Sequence, residues 1–235
     1  MINIFPFEKL GNNNYGWLNA HYHFNFADYF HSKKMGYPPL LVWNDDQIKP
    51  GTGFPMHSHQ NMEIITYVRK GAITHEDSLG NKGITRAGEI QIMSAGTGIT
   101  HSEYNAEKSE TLLFQIWIQP NKVNLKPRWE TVNTKFENQN EFYILASGQQ
   151  EIWNPNLIQI HQDATLYLIK GRKNETIEYS LNQNRQIYCV VSEGNLFLNN
   201  NKLEHRTGVY IHKEKQLNFD FIVDTEIVFI DLPEF

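Results

Sequence analysis

Short apolar runs of strand length recur along the chain, and turn-forming residues separate them. The runs lie at residues 40–43, 63–68, 89–93, 111–118, 141–145, 165–169, 186–191 and 226–230. They are rich in β-branched and aromatic side chains, which favour strands, and Gly, Asn or Asp stands between many of them. A sustained 3.6-residue period, which is typical of amphipathic helices, is scarce. The pattern therefore predicts an all-β sandwich or barrel.

One pattern of strand, glycine, hairpin and second glycine occurs twice. In the first copy, residues 67–71 end at a glycine and lead to residues 86–92; in the second, residues 190–194 lead to residues 206–211. Such a repeat predicts two barrel-like halves, which we place at residues 1–130 and 131–235. The second half repeats neither the His-x-His nor the His-x-Glu pattern of the first, so it is expected to be structural and without metal ligands.

Composition narrows the function class. The 235 residues are 40% hydrophobic and 13% aromatic, which is enough for a large core and argues against disorder. The net charge is −5 and the sequence has no dense basic cluster, so it does not predict a basic surface for direct nucleic-acid binding.

The single cysteine and the apolar segments bear on location. Cys189 lies in an apolar run and is expected to be a buried thiol rather than a nucleophile. Because the N-terminus lacks the features of a signal peptide and no run approaches the roughly 18 apolar residues of a membrane span, we expect a cytoplasmic protein without a membrane partner.

Two pairs of polar residues have the spacing of side chains that share one face of a strand. His57 and His59 flank Ser58, and His101 and Glu103 flank Ser102. Residues two apart on a strand point to the same side, so the two pairs together would offer three imidazoles and a carboxylate. This donor set suits Fe, Cu, Ni, Mn or Zn and leaves coordination positions open, whereas structural zinc sites more usually contain cysteine.

Spacing alone leaves a second interpretation open, in which these residues are polar and hydrogen-bonded inside a barrel without metal. His21 and His23 show how easily His-x-His arises, since they have the same spacing inside a very aromatic segment. No His-x-Glu accompanies them at a comparable distance, so we interpret that segment as a packed strand.

Longer stretches resemble the pirin family of bicupins. The resemblance lies in residues 56–59, 62–68 and 71–81, and it is most specific in residues 87–103, the run that ends in His-Ser-Glu. It is densest from about residue 15 to 120 and continues more weakly to residue 233. One departure is that Ser58 stands where the family commonly has proline, with Pro55 earlier instead. Because position 58 is expected to point away from the metal, this change should leave ligation intact.

The resemblance implies a double-stranded β-helix bicupin with one metal ion in the N-terminal barrel. Carried over residue by residue, the ligands are His57, His59, His101 and Glu103. The expected cofactor is one divalent transition metal, Fe(II), with Zn, Cu, Ni, Mn or Co as alternatives that the donor set also accepts.

The resemblance also implies quercetin 2,3-dioxygenase activity, with a flavonol and O2 as substrates and carbon monoxide as a product. In that reaction Glu103 would be catalytic, either as a fixed ligand or as a mobile base for the acidic 3-hydroxyl. The alternative function is a metal-dependent regulatory protein that binds a protein partner with little turnover. A monomer is the expected state.

Four further residues could contribute to the site. Glu63 could orient a metal-binding histidine or be a surface carboxylate, and His75 could line the pocket or stabilise its hairpin. Gly96 and Gly98 could allow a close backbone approach before His101.

Overall fold

The computed structural model describes residues 1–132, 139–152 and 157–234, and β-strand is the main secondary structure of the described chain. All eight apolar runs coincide with strands, apart from Glu89, which precedes its strand, and this confirms the all-β prediction. The described part contains one helix, a 3-10 turn at Phe7–Lys9. No helix among the described residues has the length and apolar character to cross a membrane.

Twenty-two strands build the described chain. The first twelve are β1 (Ile2–Phe5), β2 (Gly11–Asn14), β3 (Leu18–Tyr22), β4 (Leu40–Ile48), β5 (Thr52–His59), β6 (Glu63–Lys70), β7 (Ala72–Asp77), β8 (Lys82–Arg86), β9 (Ile90–Ser94), β10 (Ile99–Asn105), β11 (Thr111–Ile118) and β12 (Arg128–Val132). The remaining ten are β13 (Glu141–Ser147), β14 (Ile158–Gln159), β15 (Thr165–Gly171), β16 (Thr176–Ser180), β17 (Arg185–Glu193), β18 (Leu196–Leu198), β19 (Asn201–Leu203), β20 (Gly208–His212), β21 (Gln216–Phe221) and β22 (Thr225–Pro233).

The strands form two compact units with the same internal order. The first unit contains Gly11–Thr134 and Ile160–Gln162, and the second contains Met1–Leu10, Lys135–Gln159 and Asp163–Phe235. The first has a seven-stranded sheet, β12-β9-β6-β11-β4-β3-β2, and a four-stranded sheet, β5-β10-β7-β8. The second has β1-β20-β17-β22-β15-β13-β14 and β16-β21-β18-β19. Position by position, β6 and β9 match β17 and β20, which are the strands of the internal repeat.

The first strand of the chain belongs to the second unit. Strand β1 pairs with β20 in the second unit, although it comes first in the chain. The boundary expected between residues 130 and 131 stays a prediction; that point lies within β12, which pairs with β9 in the first unit.

Apolar side chains fill the second unit. Its core includes Phe219, Phe221 and Phe229, and the rings of Tyr167 and Phe229 stack with centroids 4.7 Å apart. Cys189 belongs to the same core, and burial raises the pKa of its thiol to about 12, which confirms the expected buried thiol. This barrel is stabilised by dry packing of its interior.

Phe229→Ala is expected to destabilise this barrel by about 3–5 kcal/mol, the usual cost of removing a buried aromatic ring. Phe197→Ala is the matched control, because Phe197 is 39% exposed and Phe229 is fully buried. Urea unfolding followed by fluorescence measures both. Equal losses in the two variants would show that the interior of this barrel does not depend on Phe229.

Candidate metal centre

The pairing of β5 with β10 brings three histidines together. In the antiparallel register His101 lies directly opposite His57, and His59 follows two residues along the same strand. Potential ligand nitrogens of His57, His59 and His101 all lie within 4.8 Å of one another. Ser58 is exposed while the histidines on either side are half-buried, as expected for a residue that points away from the cluster.

An irregularity in this pairing orients His57. The register between β5 and β10 shifts between His101 and Glu103, so that Glu103 faces Phe54. Such bulges occur next to functional sites, where they redirect side chains. Here the carbonyl of Pro55 lies 2.7 Å from Nδ1 of His57. A carbonyl can only accept, so Nδ1 carries the proton and Nε2 keeps its lone pair.

Burial favours the neutral form of His59 and His101. It lowers the pKa of His59 to about 4, together with the neighbouring His57. It also lowers the pKa of His101 to about 2, with further contributions from the other histidines around it. Metal ions bind neutral imidazole, so these rings are ready to act as ligands at neutral pH.

The three histidines fit a transition metal. Nε2 of His101 is buried and has no hydrogen-bond partner in the described chain. A buried polar atom without a partner is costly, and a bound cation would satisfy this one. The fit therefore rests on donor chemistry as well as on proximity.

Glu103 lies on the same strand but makes different contacts. It is buried and is not one of the residues in the three-histidine cluster. Its Oε1 accepts from Thr66 Oγ1 at 3.2 Å and from Gln91 Nε2 at 2.5 Å, and its Oε2 accepts from Gln115 Nε2 at 2.5 Å. Burial raises the pKa of Glu103 to about 7, although these three hydrogen bonds favour the carboxylate.

The partners of Glu103 were not anticipated from the sequence. Gln91, Thr66 and Gln115 lie on three other strands. In the sequence each is visible only as a polar residue at an inward-facing position between apolar residues. Gln115, for example, stands between Leu113 and Trp117 on β11. Such an interruption marks a polar interior but does not identify which residue it will contact.

Aromatic rings surround the cluster. Trp117 meets His59 edge to face, with centroids 5.0 Å apart, and Phe26 meets Trp117 in the same way at 5.3 Å. Phe54 lies beside His57 at 6.3 Å. An open pocket of about 360 Å³ borders His59, and hydroxyl groups of serine and threonine contribute to its lining.

Glu63 takes neither of the roles expected for it. It is 1% exposed, so it is not a surface carboxylate, and its partners are the hydroxyl of Ser94 and the backbone of His161 rather than an imidazole ring. Its buried carboxyl group therefore holds the backbone at His161 against β6.

The other residues singled out in the sequence are also placed. His75 is fully buried behind His101 and bonds to Asp77 within its hairpin. Gly96 has a φ of +48°, and a Cβ there would lie 2.0 Å from the Leu125 carbonyl oxygen, so its close approach is to that segment and not to the histidines. Gly98 also has a positive φ, but a Cβ there would meet no atom of the described chain within 4 Å, so the close approach expected for it is wrong. His21 lies in β3, but the strand ends at Tyr22 and the buried His23 follows in a bend, so the predicted packed strand is correct only for the start of that segment.

Comparison with known proteins decides the family. The pirin family model matches residues 6–118, and the model described as the quercetinase C-terminal cupin domain matches residues 144–232. A pirin-like protein of Caulobacter vibrioides is 44% identical over 232 residues, covering 98% of this chain and 99% of that protein. The chain belongs to the pirin family. Its two units are therefore the two cupin domains that the sequence predicts.

Two further pirin relatives bear on the site. A protein of Escherichia coli named quercetin 2,3-dioxygenase is 38% identical over 238 residues, covering 99% of each chain. The crystal structure of the bacterial pirin YhhW from Escherichia coli in complex with nickel(II) superposes with a TM-score of 0.93, at 38% identity and full coverage of both chains.

His101→Ala is expected to weaken nickel(II) binding by more than the roughly 10–100-fold loss that follows removal of an outer partner of a metal ligand. The reason is that the variant removes one of three clustered imidazoles. His31→Ala is the control, since His31 is exposed and is not part of the three-histidine cluster. Calorimetric titration with nickel(II) measures the affinities; equal affinity in both variants would exclude His101 as a ligand.

Glu63→Gln is expected to flatten part of the pH dependence of stability. Burial raises the pKa of Glu63 from 4.5 to about 7, although Ser94 and Arg128 favour its charged form. The folded state therefore binds this proton more tightly, and stability is lost as pH rises from 4.5 to 7. A pKa difference of one unit corresponds to about 1.4 kcal/mol. By pH 8 the free energy of unfolding of the variant should therefore exceed that of the parent by up to about 3 kcal/mol.

Urea unfolding at pH 4, 6 and 8 measures this gain, with the exposed Glu204→Gln variant as control. A parent and a Glu63→Gln variant with parallel pH profiles would contradict the raised pKa.

Proposed function

We propose that this pirin is a metal-dependent dioxygenase that opens the heterocycle of a flavonol such as quercetin with O2 and releases carbon monoxide. The observation that carries the proposal is the position of a buried, proton-accepting Glu103 on the same strand as the three-histidine cluster. The name of the Escherichia coli relative supports the choice of reaction.

His57, His59 and His101 would hold the metal, and Glu103 is proposed as the fourth ligand or as the base. Fe(II) is the expected ion, and the nickel(II) complex of YhhW supports a divalent metal. When bound, the ion acts as a Lewis acid that lowers the pKa of an attached hydroxyl group. The imidazoles of His59 and His101 keep their lone pairs for it because burial disfavours their protonation.

Glu103 can accept the proton of the flavonol 3-hydroxyl at Oε2. Its Oε1 already accepts two hydrogen bonds, whereas Oε2 accepts one and retains a lone pair. Its pKa near 7 suits a general base at neutral pH, because such a group is available as carboxylate and still holds a proton once transferred. Gln91 and Gln115 keep the carboxyl group in place during that transfer.

The surroundings of the histidines suit a flat aromatic substrate. Trp117 and Phe54 present rings next to His59 and His57, and aromatic rings stack or meet edge to face with such substrates. Both rings belong to the first unit, with the histidines.

The experiment is aerobic incubation of Fe(II)- or nickel(II)-loaded protein with quercetin, following flavonol absorbance and carbon monoxide together. Glu103→Gln is expected to lower kcat by about 10²–10⁴, the usual contribution of a general base, while the flavonol still binds. Glu204→Gln is the control, because Glu204 is exposed on the second unit.

Two outcomes would overturn the proposal. One is a fully loaded protein that neither consumes quercetin nor releases carbon monoxide, which would leave the regulatory alternative. The other is a Glu103→Gln variant as fast as the parent, which would remove the base from the mechanism.

A further inference from the structure

A fourth imidazole lies directly behind His101. His75, on β7, is fully buried, and the pairing of β7 with β10 places it opposite Glu103. Its Nδ1 is hydrogen-bonded to Nδ1 of His101 at 3.4 Å, and the two ring centroids are 5.2 Å apart. His75 is not among the three clustered histidines, so its contact with the site runs through His101.

The plane of the His75 ring is fixed by packing. Trp129 stacks on it with centroids 4.7 Å apart and an interplanar angle of 8°. Trp129 fits there because Gly83 lies opposite His75 on β8, and a Cβ at Gly83 would come within 2.3 Å of the indole. Stacking leaves both nitrogens of His75 free to bond in the plane of the ring.

The other nitrogen of His75 meets a carboxylate whose position is set by the hairpin turn. Nε2 of His75 lies 3.0 Å from Oδ2 of Asp77. Oδ1 of Asp77 accepts from the backbone amides of Leu79 and Asn81 at 2.9 and 3.0 Å, and Oδ2 also accepts from the Asn81 side chain at 2.9 Å. Four donors therefore hold Asp77 as an acceptor.

These bonds determine where each proton lies. An ionised carboxylate can only accept, so Nε2 of His75 carries a proton and its Nδ1, in the neutral ring, carries a lone pair. Nδ1 of His101 must then donate to that lone pair. A neutral imidazole has one proton, so Nε2 of His101 is left bare, and this is the buried nitrogen without a partner.

We propose that Asp77 and His75 are positioning residues that hold His101 in the Nδ1–H tautomer, with Nε2 directed at the metal. A ligating histidine commonly has an outer partner of this kind, which fixes its tautomer and ring orientation. His57 obtains the same tautomer from the Pro55 carbonyl. The proposal rests on the metal site of the proposed function but not on its flavonol substrate.

Two variants break the chain of hydrogen bonds in different ways. His75→Phe keeps a ring to stack on Trp129 but offers no acceptor to His101. Asp77→Asn keeps the shape of the turn, but its amide group can donate a hydrogen bond to Nε2 of His75. The tautomers of both His75 and His101 would then be exchanged, which would place a proton on Nε2 of His101. Glu76→Gln is the matched control, because Glu76 lies between the two residues and pairs on the outside of the strand with Lys82.

Two readouts test the proposal. Long-range ¹H–¹⁵N correlation spectra of the metal-free protein report the tautomer of each histidine, and calorimetry with nickel(II) reports affinity. The parent and Glu76→Gln should show His101 protonated at Nδ1. His75→Phe and Asp77→Asn should lose that single tautomer and bind nickel(II) about 10–100-fold more weakly. Urea unfolding of each variant separates loss of fold from loss of orientation.

The outcomes are distinguishable from those of the proposed function. A parent His101 protonated at Nε2 would overturn the inference, as would an unchanged tautomer and nickel(II) affinity in both folded variants. A parent with the expected tautomer and normal nickel(II) binding but no quercetin turnover would support the inference while the dioxygenase proposal fails. If His75→Phe does not fold, Asp77→Asn decides alone.

Discussion

The antiparallel pairing of β5 with β10 is the interaction on which the candidate site depends. It places His101 across from His57, and its irregularity provides the Pro55 carbonyl that orients the His57 ring. Proline suits such a position, since it has no N–H to lose from the ladder. Gly53 permits the same approach, because a Cβ there would lie 2.1 Å from the carbonyl oxygen of Glu103. Local backbone geometry thus sets the spacing of the imidazoles.

Each unit uses the same strand order for a different purpose. In the second, apolar side chains such as Phe219 and Leu217 occupy β21, the strand that corresponds to β10. In the first, apolar residues such as Ile48 and Leu113 fill only part of the interior, and polar groups occupy the rest. One duplicated framework therefore contains a barrel that is packed for stability and a barrel that keeps chemically active groups out of water.

Sequence reasoning found the framework more readily than the site's surroundings. The eight apolar runs predicted strands because burial on both faces favours β-branched and aromatic residues. Strands β5 and β10 were not among those runs, because their histidines, Glu103 and polar residues such as Ser58 interrupt the apolar pattern. Only the two-residue spacing of the histidines indicated their common face.

The partners of the site residues could not be predicted, since they depend on register between strands distant in the chain. Gln91 and Gln115 contact Glu103 only after β9 and β11 have paired with β6. The placement of β1 beside β20 joins residues more than 200 positions apart, and no local signal carries that information. Glu63 was misjudged for the same reason, because its burial comes from tertiary packing rather than from its position at a strand end.

The bare Nε2 of His101 also links the folding of the chain to its metal supply. A buried polar atom without a partner costs about 1–3 kcal/mol in the folded state. An ion bound only to the folded chain would pair this atom, and the gain would be part of the RT ln(1 + [L]/Kd) by which binding raises the free energy of unfolding. The protein would then have a shorter lifetime in a cell that is poor in transition metal than in one that is rich in it. Its abundance would follow the concentration of the free metal ion.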